Sequence, residues 1–282
     1  MGKAVIVTGA SSGIGLGIAL MYLSEGDDVV LVGRDLQRLE SAIPKDFQAK
    51  GKALYLAKDV STLEGCRGVI EEGTKLLGGR LNALVNNAGA GKFGLFLENI
   101  TPEQWATHMD LNVNSVLYLT QLAIPLLEAS NHIFIPNPFV QCSNSGCPVS
   151  GNHASKGSIV NISSIAGQRP VRGAAAYCVS KAAVDMLTKA SALELAPKGI
   201  RVNAINPSTV ESNFFTTAGL SQEQAKAYMV NSATGHPIGR VGVPADVAEL
   251  CYFLTDNAKS GWLTGQCILL DGGRLLPIPM AN

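Results

Sequence analysis

A phenol and an amine stand four residues apart in Tyr177-Cys178-Val179-Ser180-Lys181, where a long helical pattern begins. Residues at that spacing share one helix face, so the tyrosine hydroxyl and the lysine ammonium can address a single ligand. A neutral phenol with a pKa of about 10 is a weak acid–base catalyst at neutral pH. A nearby ammonium favours the phenolate and draws that value down. Tyr177 can then hand a proton to a carbonyl oxygen while hydride reaches the carbon. The spacing alone is common, and its weight comes from its surroundings. Ser164 lies thirteen residues before Tyr177, just past the apolar run Ser158–Ile162, where a hydroxyl can hold a carbonyl against the phenol. The plainer reading of Ser164 is a turn or capping serine. Asn112, in Asp110-Leu111-Asn112-Val113, falls inside a helical pattern that disfavours asparagine. A buried amide there needs partners, either structural water or a water that relays protons to Lys181.

Hydride needs a carrier, and the N-terminal residues supply a place for one. The run Thr8-Gly9-Ala10-Ser11-Ser12-Gly13-Ile14-Gly15 follows an apolar strand and opens a helix. Glycines there let the backbone turn tightly and approach a pyrophosphate, while the helix aims free N–H groups and its positive dipole end at the anion. Strand, glycine turn and helix in that order make Gly9, Ser11, Ser12, Gly13, Ile14 and Gly15 a candidate dinucleotide cradle. About 20 residues on, an NAD site places an acid against the ribose 2′-hydroxyl. Here the second strand ends Val32-Gly33-Arg34-Asp35, with glycine in place of the acid and an arginine whose planar fork suits a 2′-phosphate. The charge argument favours NADP(H) and leaves NAD(H) open; Ser12 stands where many NADP users carry a second basic residue. Asp35 reads as the N-cap of the next helix, which is compatible with Arg34 on a phosphate. Asp59-Val60 ends the third strand and can meet an adenine, and Asn87-Ala88-Gly89 ends the fourth, where a cofactor would cross the sheet. Asn and Gly after strands are also ordinary turn chemistry.

These side chains need a frame, and the hydrophobic pattern describes one. Seven nearly all-apolar runs read as strands: Ala4–Thr8, Val29–Gly33, Ala53–Lys58, Ala83–Asn86, Ser158–Ile162, Arg201–Ile205 and Cys267–Leu270. Continuous rather than alternating apolar character predicts strands covered on both faces of a parallel sheet. Between them, helical patterns span Ile14–Glu25, Leu36–Ala49, Thr62–Leu77, Pro102–Ala129, Ala174–Ala196 and Pro244–Leu254. Repeated strand–helix–strand units predict an α/β, Rossmann-type, doubly wound, seven-stranded parallel sheet with helices on both faces. No linker or repeat interrupts residues 1–282, so one domain is expected. The exception to the rhythm is an insertion at about 130–156, rich in Pro, Gly, Asn and Ser and without periodicity.

Composition narrows the function classes. Lysine plus arginine equals aspartate plus glutamate at 22 each, so the basic excess of a nucleic-acid binder is missing. Hydrophobic residues are 46% and charged residues 16%, enough for a large buried core. No apolar run approaches membrane-spanning length, and the apolar start is too short for a signal segment, so a cytoplasmic protein is expected. Cys142, Cys147, His132 and His153 cluster in the insertion, but their spacing matches no standard zinc pattern, and no metal is expected. His108 and His236 are assigned structural roles.

Together these motifs resemble the short-chain dehydrogenase/reductase family in its compact single-domain form. The likeness runs from Thr8 to Leu263-Thr264-Gly265-Gln266 and Asp271-Gly272-Gly273. It implies a catalytic tetrad of Asn112, Ser164, Tyr177 and Lys181, and selects Ser164 over Ser163 by the spacing to tyrosine. It implies cofactor contacts from the glycine turn, Arg34, Asp59, Val60, Asn87, Ala88, Gly89, Tyr177 and Lys181, and from Pro207, Val210 and Ser212 after the sixth strand. It also implies a homotetramer or homodimer built on the long helices and the last strand. Two departures stand out. The family usually reads Pro-Gly-x-Val-x-Thr where this chain has Pro207-Ser208-Thr209-Val210-Glu211-Ser212, and the insertion is far longer than the family's turn before the catalytic strand. The insertion should emerge at the N-terminal edge of that strand, away from the site.

The substrate pocket is expected along Gly91–Phe96, Ile165–Arg172 and a loop Phe214–His236, whose phenylalanines suit a small apolar ketone, aldehyde or secondary alcohol. A 3-oxoacyl reductase, a steroid or sugar-alcohol dehydrogenase and a broad carbonyl reductase all stay open. Two rival classes are a catalytically silent dinucleotide-binding scaffold, which would normally have lost Tyr177 or Lys181, and an epimerase or dehydratase, which would carry a separate substrate region.

Overall fold

A computed structural model describes residues 2–130 and 156–276. Seven strands pair in parallel throughout: β1 (Ala4–Thr8), β2 (Asp28–Gly33), β3 (Ala53–Ala57), β4 (Ala83–Asn86), β5 (Ser158–Ile162), β6 (Arg201–Pro207) and β7 (Cys267–Leu270). Their order is β3-β2-β1-β4-β5-β6-β7. The chain winds outward from β1 in one direction, then crosses back and winds outward from β4 in the other. The crevice between the C-terminal ends of β1 and β4 is thus a topological switch point, where ligands of open α/β sheets bind.

The helices of the described residues are α1 (Gly13–Ser24), α2 (Leu36–Glu40), α3 (Leu63–Leu76), α4 (Pro102–Met109), α5 (Ser115–Glu128), α6 (Ala175–Leu195), α7 (Phe214–Thr217), α8 (Gln222–Thr234), α9 (Pro244–Thr255) and α10 (Asn257–Ser260). They cover both faces. Ala4 and Ile6 of β1 pack with Val69 of α3, Leu119 of α5 and Ala192 of α6. Val5 and Val7 point the other way, to Ile18 and Tyr22 of α1 and Val247 of α9. That alternation along a fully buried strand is why its sequence shows no polar face.

Three helical expectations change. The pattern Leu36–Ala49 yields only Leu36–Glu40. Pro44 lacks an N–H and its ring disfavours helical geometry at Ile43, so the helix stops at Ser41. The pattern Pro102–Ala129 contains a π-helical turn, Asp110–Asn114, between α4 and α5. The segment expected as a loop, Phe214–His236, holds α7 and α8. The signal for α8 was in the sequence: Ser221 and Gln224 form a reciprocal capping box.

A buried polar chain fixes α6 to the sheet. Asn86 of β4 donates to Asn161 of β5 at 2.9 Å, Asn161 donates to the Thr188 hydroxyl at 2.9 Å, and Thr188 donates to the Val184 carbonyl at 2.8 Å. All three side chains are excluded from solvent. Replacing Asn161 with alanine leaves the Asn86 amide without its acceptor, a loss of about 1–3 kcal/mol. Urea unfolding of Asn161→Ala should report that loss as a lower midpoint, and an unchanged midpoint would show that the chain does not hold α6.

Candidate active site

The glycine turn leaves β1 and enters α1. Gly9 has φ 66°, a conformation that side chains disfavour. A Cβ on Gly15 would lie 2.3 Å from the Gly9 carbonyl oxygen, so the turn can close only around glycine. Ser12, at the N-cap of α1, is extended and caps no backbone N–H with its side chain. The first amides of a twelve-residue helix therefore have no side-chain acceptor, which fits a pyrophosphate.

The loop after β4 is pinned to this turn. Thr8 Oγ1 accepts from the backbone N–H groups of Asn87 and Ala88, both at 3.0 Å. Asn87 Nδ2 donates to the carbonyls of Thr8 at 2.8 Å and Gly9 at 3.2 Å. The Asn87 side chain thus shapes the cradle, and contributes to a ligand site by holding the glycine turn. The segment after β6 closes the other side: Ser12 Oγ donates to Asn213 Oδ1 at 3.2 Å.

At the far end of the cleft Asp35 accepts from the Arg38 N–H and caps α2, as expected. Arg34 lines the cleft, and so do Arg38 and Lys58, which sequence reasoning missed. Arg38 had a readable signal, lying in the first turn of the helix that follows Arg34. Asp59 accepts from the backbone and hydroxyl of Ser61 at 3.0 and 2.8 Å. Those bonds, with the nearby Arg34 charge, hold its carboxyl below the usual range.

The chemical end is built on β5, α6 and the π-helical turn. Tyr177 is half-buried, while Lys181 is only 5% exposed. Lys181 Nζ donates to the Ile162 carbonyl at 2.8 Å and stands 5.8 Å from the centre of the Tyr177 ring. Burial pushes the lysine down to about 8, although Asp185 one turn along the helix pulls it up. Burial also pushes the Tyr177 phenol up to about 12, against a hydrogen bond from Ser164 that favours the phenolate. Among the protein's own groups desolvation therefore outweighs the expected lowering by Lys181, and a lower phenol pKa calls for a further positive charge. Ser164 has the capping role of its plainer reading as well as its bond to the phenol: its oxygen accepts from the Ala166 N–H at 3.1 Å and caps a 3-10 turn.

Asn112 is the candidate that does not line the cleft. Its amide exchanges two 2.9 Å bonds with the Ala90 backbone and donates to Ser180 Oγ at 2.9 Å. The partners it needs are protein groups, and the π-helical turn is what aims it. It still adjoins Lys181: one point, the Cβ that Gly89 lacks, would be 3.1 Å from Asn112 Oδ1 and 3.4 Å from Lys181 Nζ.

All the other candidates, from Gly9, Ser11, Ser12, Gly13, Ile14 and Gly15 through Val60, Ala88 and Gly89 to Ser164, Tyr177, Lys181, Pro207, Val210 and Ser212, share one cleft of about 650 Å³. Aromatic rings wall its end near Tyr177. Phe214 lies 5.7 Å from Tyr177, Phe93 stacks on Phe215 at 5.9 Å, and Tyr228 of α8 meets Phe215 at 4.5 Å. His236 has partners the sequence did not reveal, Ser208 Oγ at 2.8 Å and the Ser232 carbonyl at 2.6 Å. Cys142, Cys147, His132 and His153 lie outside the described residues. Among the described residues no cluster of three metal-binding side chains occurs, and no helix is long and apolar enough to cross a membrane.

A switch-point cleft that begins at a glycine turn and ends at a phenol and an amine defines a Rossmann-type dinucleotide-binding protein. Comparison with known proteins makes the assignment narrower. Residues 3–133 match the short chain dehydrogenase family, and residues 137–274 match the family described as enoyl-(acyl carrier protein) reductase. An uncharacterised oxidoreductase of Methylorubrum extorquens is 34% identical over 274 residues, covering 96% of this chain and 97% of its own. A short-chain dehydrogenase/reductase of unknown function from Caenorhabditis elegans, solved with cofactor, superposes with a TM-score of 0.83 at 31% identity, over 98% of this chain and 96% of that one. A 3-ketoacyl-(acyl-carrier-protein) reductase from Brucella melitensis, complexed with NADH, gives 0.78 at 30% identity over 97% and 98%. The chain belongs to the short-chain dehydrogenase/reductase family and is an oxidoreductase of that family, which binds nicotinamide dinucleotides.

The glycine turn supplies a direct test. Gly15→Ala forces a methyl onto the Gly9 carbonyl, and calorimetric titration should find dinucleotide binding weakened at least about ten-fold. An unchanged dissociation constant in a folded variant would remove the turn as the anchor.

Proposed function

We propose that the chain is an NADP(H)-dependent oxidoreductase that interconverts a carbonyl and a secondary alcohol, with Tyr177 as general acid and base. The observation that carries this reading is one cleft holding both the glycine turn and the Ser164, Tyr177 and Lys181 side chains. When bound, a reduced dinucleotide supplies the hydride, and its oxidised form supplies a cation beside the phenol. Ser164 holds the carbonyl oxygen, and Tyr177 donates the proton that this oxygen takes up as it becomes a hydroxyl. In the reverse direction the Tyr177 phenolate accepts that proton. Lys181 keeps a positive charge under the ring, and Asn112 shapes the Gly89–Ala90 wall next to that charge.

The coenzyme preference rests on charge. Arg34, Arg38 and Lys58 line the end of the cleft where Gly33 replaces an acid, and a 2′-phosphate suits that set. Lys58 also pairs with Glu72 at 2.6 Å, so the two arginines are the freer groups. The NADH-bound relative keeps NAD(H) open as the alternative. The silent-scaffold reading is disfavoured because Tyr177 and Lys181 are both present and share one wall. Assembly into a homodimer or homotetramer has support from Val179, Met186 and Leu193, exposed at seven-residue intervals on α6, and from Trp262, 97% exposed beside β7.

Purified protein with NADPH should reduce apolar ketones or aldehydes, and Tyr177→Phe should lower that rate on the order of 10²–10⁴-fold. NADPH binding without turnover of any carbonyl would favour the scaffold. Arg34→Asp should move coenzyme preference toward NADH, measured as the ratio of kcat/KM values; a constant ratio would sink the coenzyme assignment.

The pH dependence has a definite sign. Alcohol oxidation needs the phenolate, and burial holds Tyr177 up at about 12 among the protein's own groups. Its rate should therefore climb with pH, while carbonyl reduction, which needs the phenol, should fall at the alkaline end. Lys181 carries its charge only below about 8, so where the bound oxidised dinucleotide brings the phenol into that range, Lys181→Met should shift the oxidation limb further alkaline in a kcat/KM–pH profile. A limb that stays in place would exclude Lys181 from setting the phenol.

A further inference from the structure

The charges lining the cleft are strongly asymmetric although the chain as a whole is balanced at 22 and 22. Seven cations line it, namely Arg34, Arg38, Lys58, Arg169, Arg172, Lys181 and Arg274, against one acid, Asp59. Asp59 belongs with Arg34 at the coenzyme end. The dinucleotide reading uses the first three cations and Lys181, and Arg274 is bonded to the Ser232 carbonyl and hydroxyl at 3.1 Å, which leaves Arg169 and Arg172 without a function.

Those two arginines sit on the segment that joins the chemical groups. Arg169 is five residues past Ser164, and Arg172 is five residues before Tyr177. Both are exposed and both line the cleft that holds Tyr177. Their segment is tied to the aromatic wall, because Leu95 N–H donates to the Gly173 carbonyl at 3.0 Å. The Arg172 guanidinium lies 5.7 Å from the Phe96 ring. Some surface cations have carboxylate partners: Arg240 meets Asp246 at 2.6 Å, and Lys198 meets Glu128 at 3.0 Å. Among the described residues neither Arg169 nor Arg172 has such a partner. Aromatic rings and two guanidinium groups without carboxylate partners line the same cleft as the phenol, which matches a substrate with an apolar body and an anionic end. A planar fork of donors suits a carboxylate.

Resting on the carbonyl–alcohol reading above, we propose that the substrate is an oxo acid or hydroxy acid. Its reacting carbon lies at Tyr177, its apolar body lies against Phe93, Phe214 and Phe215, and its carboxylate is held by Arg169 and Arg172.

The test compares two ketones with the same aryl-alkyl body, one ending in a carboxylate and one in the methyl ester. Turnover is followed with NADPH, and binding by calorimetry, in the wild-type chain and in Arg169→Gln/Arg172→Gln. The wild-type chain should favour the carboxylate by at least about ten-fold in kcat/KM, a margin that added salt erodes. The double variant should lose most of that margin, with a matching rise in Kd for the carboxylate. Carboxylate binding that depends on both arginines, without turnover, would support the anion site and remove the oxidoreductase reading. Turnover of both ketones at equal efficiency, or a carboxylate margin that survives the double substitution, would overturn the anion site and leave the oxidoreductase reading intact. Absence of carboxylate binding would overturn it as well. Preference for an oxoacyl thioester on an acidic carrier protein over the free acid would give the arginines to a protein partner and overturn the small-acid assignment.

Discussion

A buried ammonium sets the terms for the rest of the site. Lys181 has lost most of its water, and an unsolvated cation is costly unless dipoles or charges replace the hydration. The Ile162 carbonyl at 2.8 Å supplies one replacement, and the Asp185 carboxylate a second. Asp185 is itself buried and must be satisfied in turn: Asn206 of β6 donates to both its oxygens, at 3.0 and 2.8 Å. The same Asn206 amide reaches the Ser164 carbonyl at 3.0 Å. Keeping one charge in a dry place thus draws β5, β6 and α6 into a single network, and that network fixes the backbone of Ser164 relative to the helix carrying Tyr177. A polar cluster of this kind is costly when half-made and rigid when complete.

Sheet topology decides where the network can sit. Because β4 lies beside β1, the glycine turn and the Asn87 loop open onto one crevice, and β5 with its Ser164 comes next in order. The glycine turn and the Ser164, Tyr177 and Lys181 side chains are thereby adjacent in space while separated by well over a hundred residues of sequence. The buried chain from Asn86 through Asn161 to Thr188 fixes the tilt of α6 against that sheet. Polar residues inside central strands are costly unless they bond one another, and here the bonding registers the helix that carries Tyr177 and Lys181.

Much of this was legible in the sequence. All-apolar runs such as Ala4–Thr8 could only be strands covered on both sides, and their alternation with helices fixes a parallel sheet. The glycine turn, Arg34, Ser164, Tyr177 and Lys181 were readable because each sits at the C-terminal end of a strand or opens a helix, positions that local pattern identifies. What was not legible depends on long-range contact. The π-helical turn that aims Asn112 gives no periodic signal, since one extra residue per turn is lost in a long apolar pattern. Lys58 looks like an ordinary surface charge until β3 is placed beside β2. Desolvation of the phenol and the amine is likewise a property of the assembled core. By contrast, α8 was missed although Ser221 and Gln224 announce it.

The replacement of glycine by Ser208 after β6 shows how such a departure is absorbed. No residue other than glycine has positive φ among those described, so the backbone there does not require glycine. The added hydroxyl meets His236 Nε2 at 2.8 Å, and the ring's other nitrogen meets the Ser232 carbonyl at 2.6 Å, which fixes the imidazole between the loop and the end of α8. Thr209 bonds Ser232 at 2.7 Å, and Arg274 donates to the Ser232 carbonyl and hydroxyl at 3.1 Å. The strand-end loop on the coenzyme side and the helix that brings Tyr228 to the aromatic wall are consequently one bonded unit. A shift of either must break buried hydrogen bonds, each costly to leave unmade. The serine therefore exchanges a flexible glycine for a fixed joint between the two halves of the cleft.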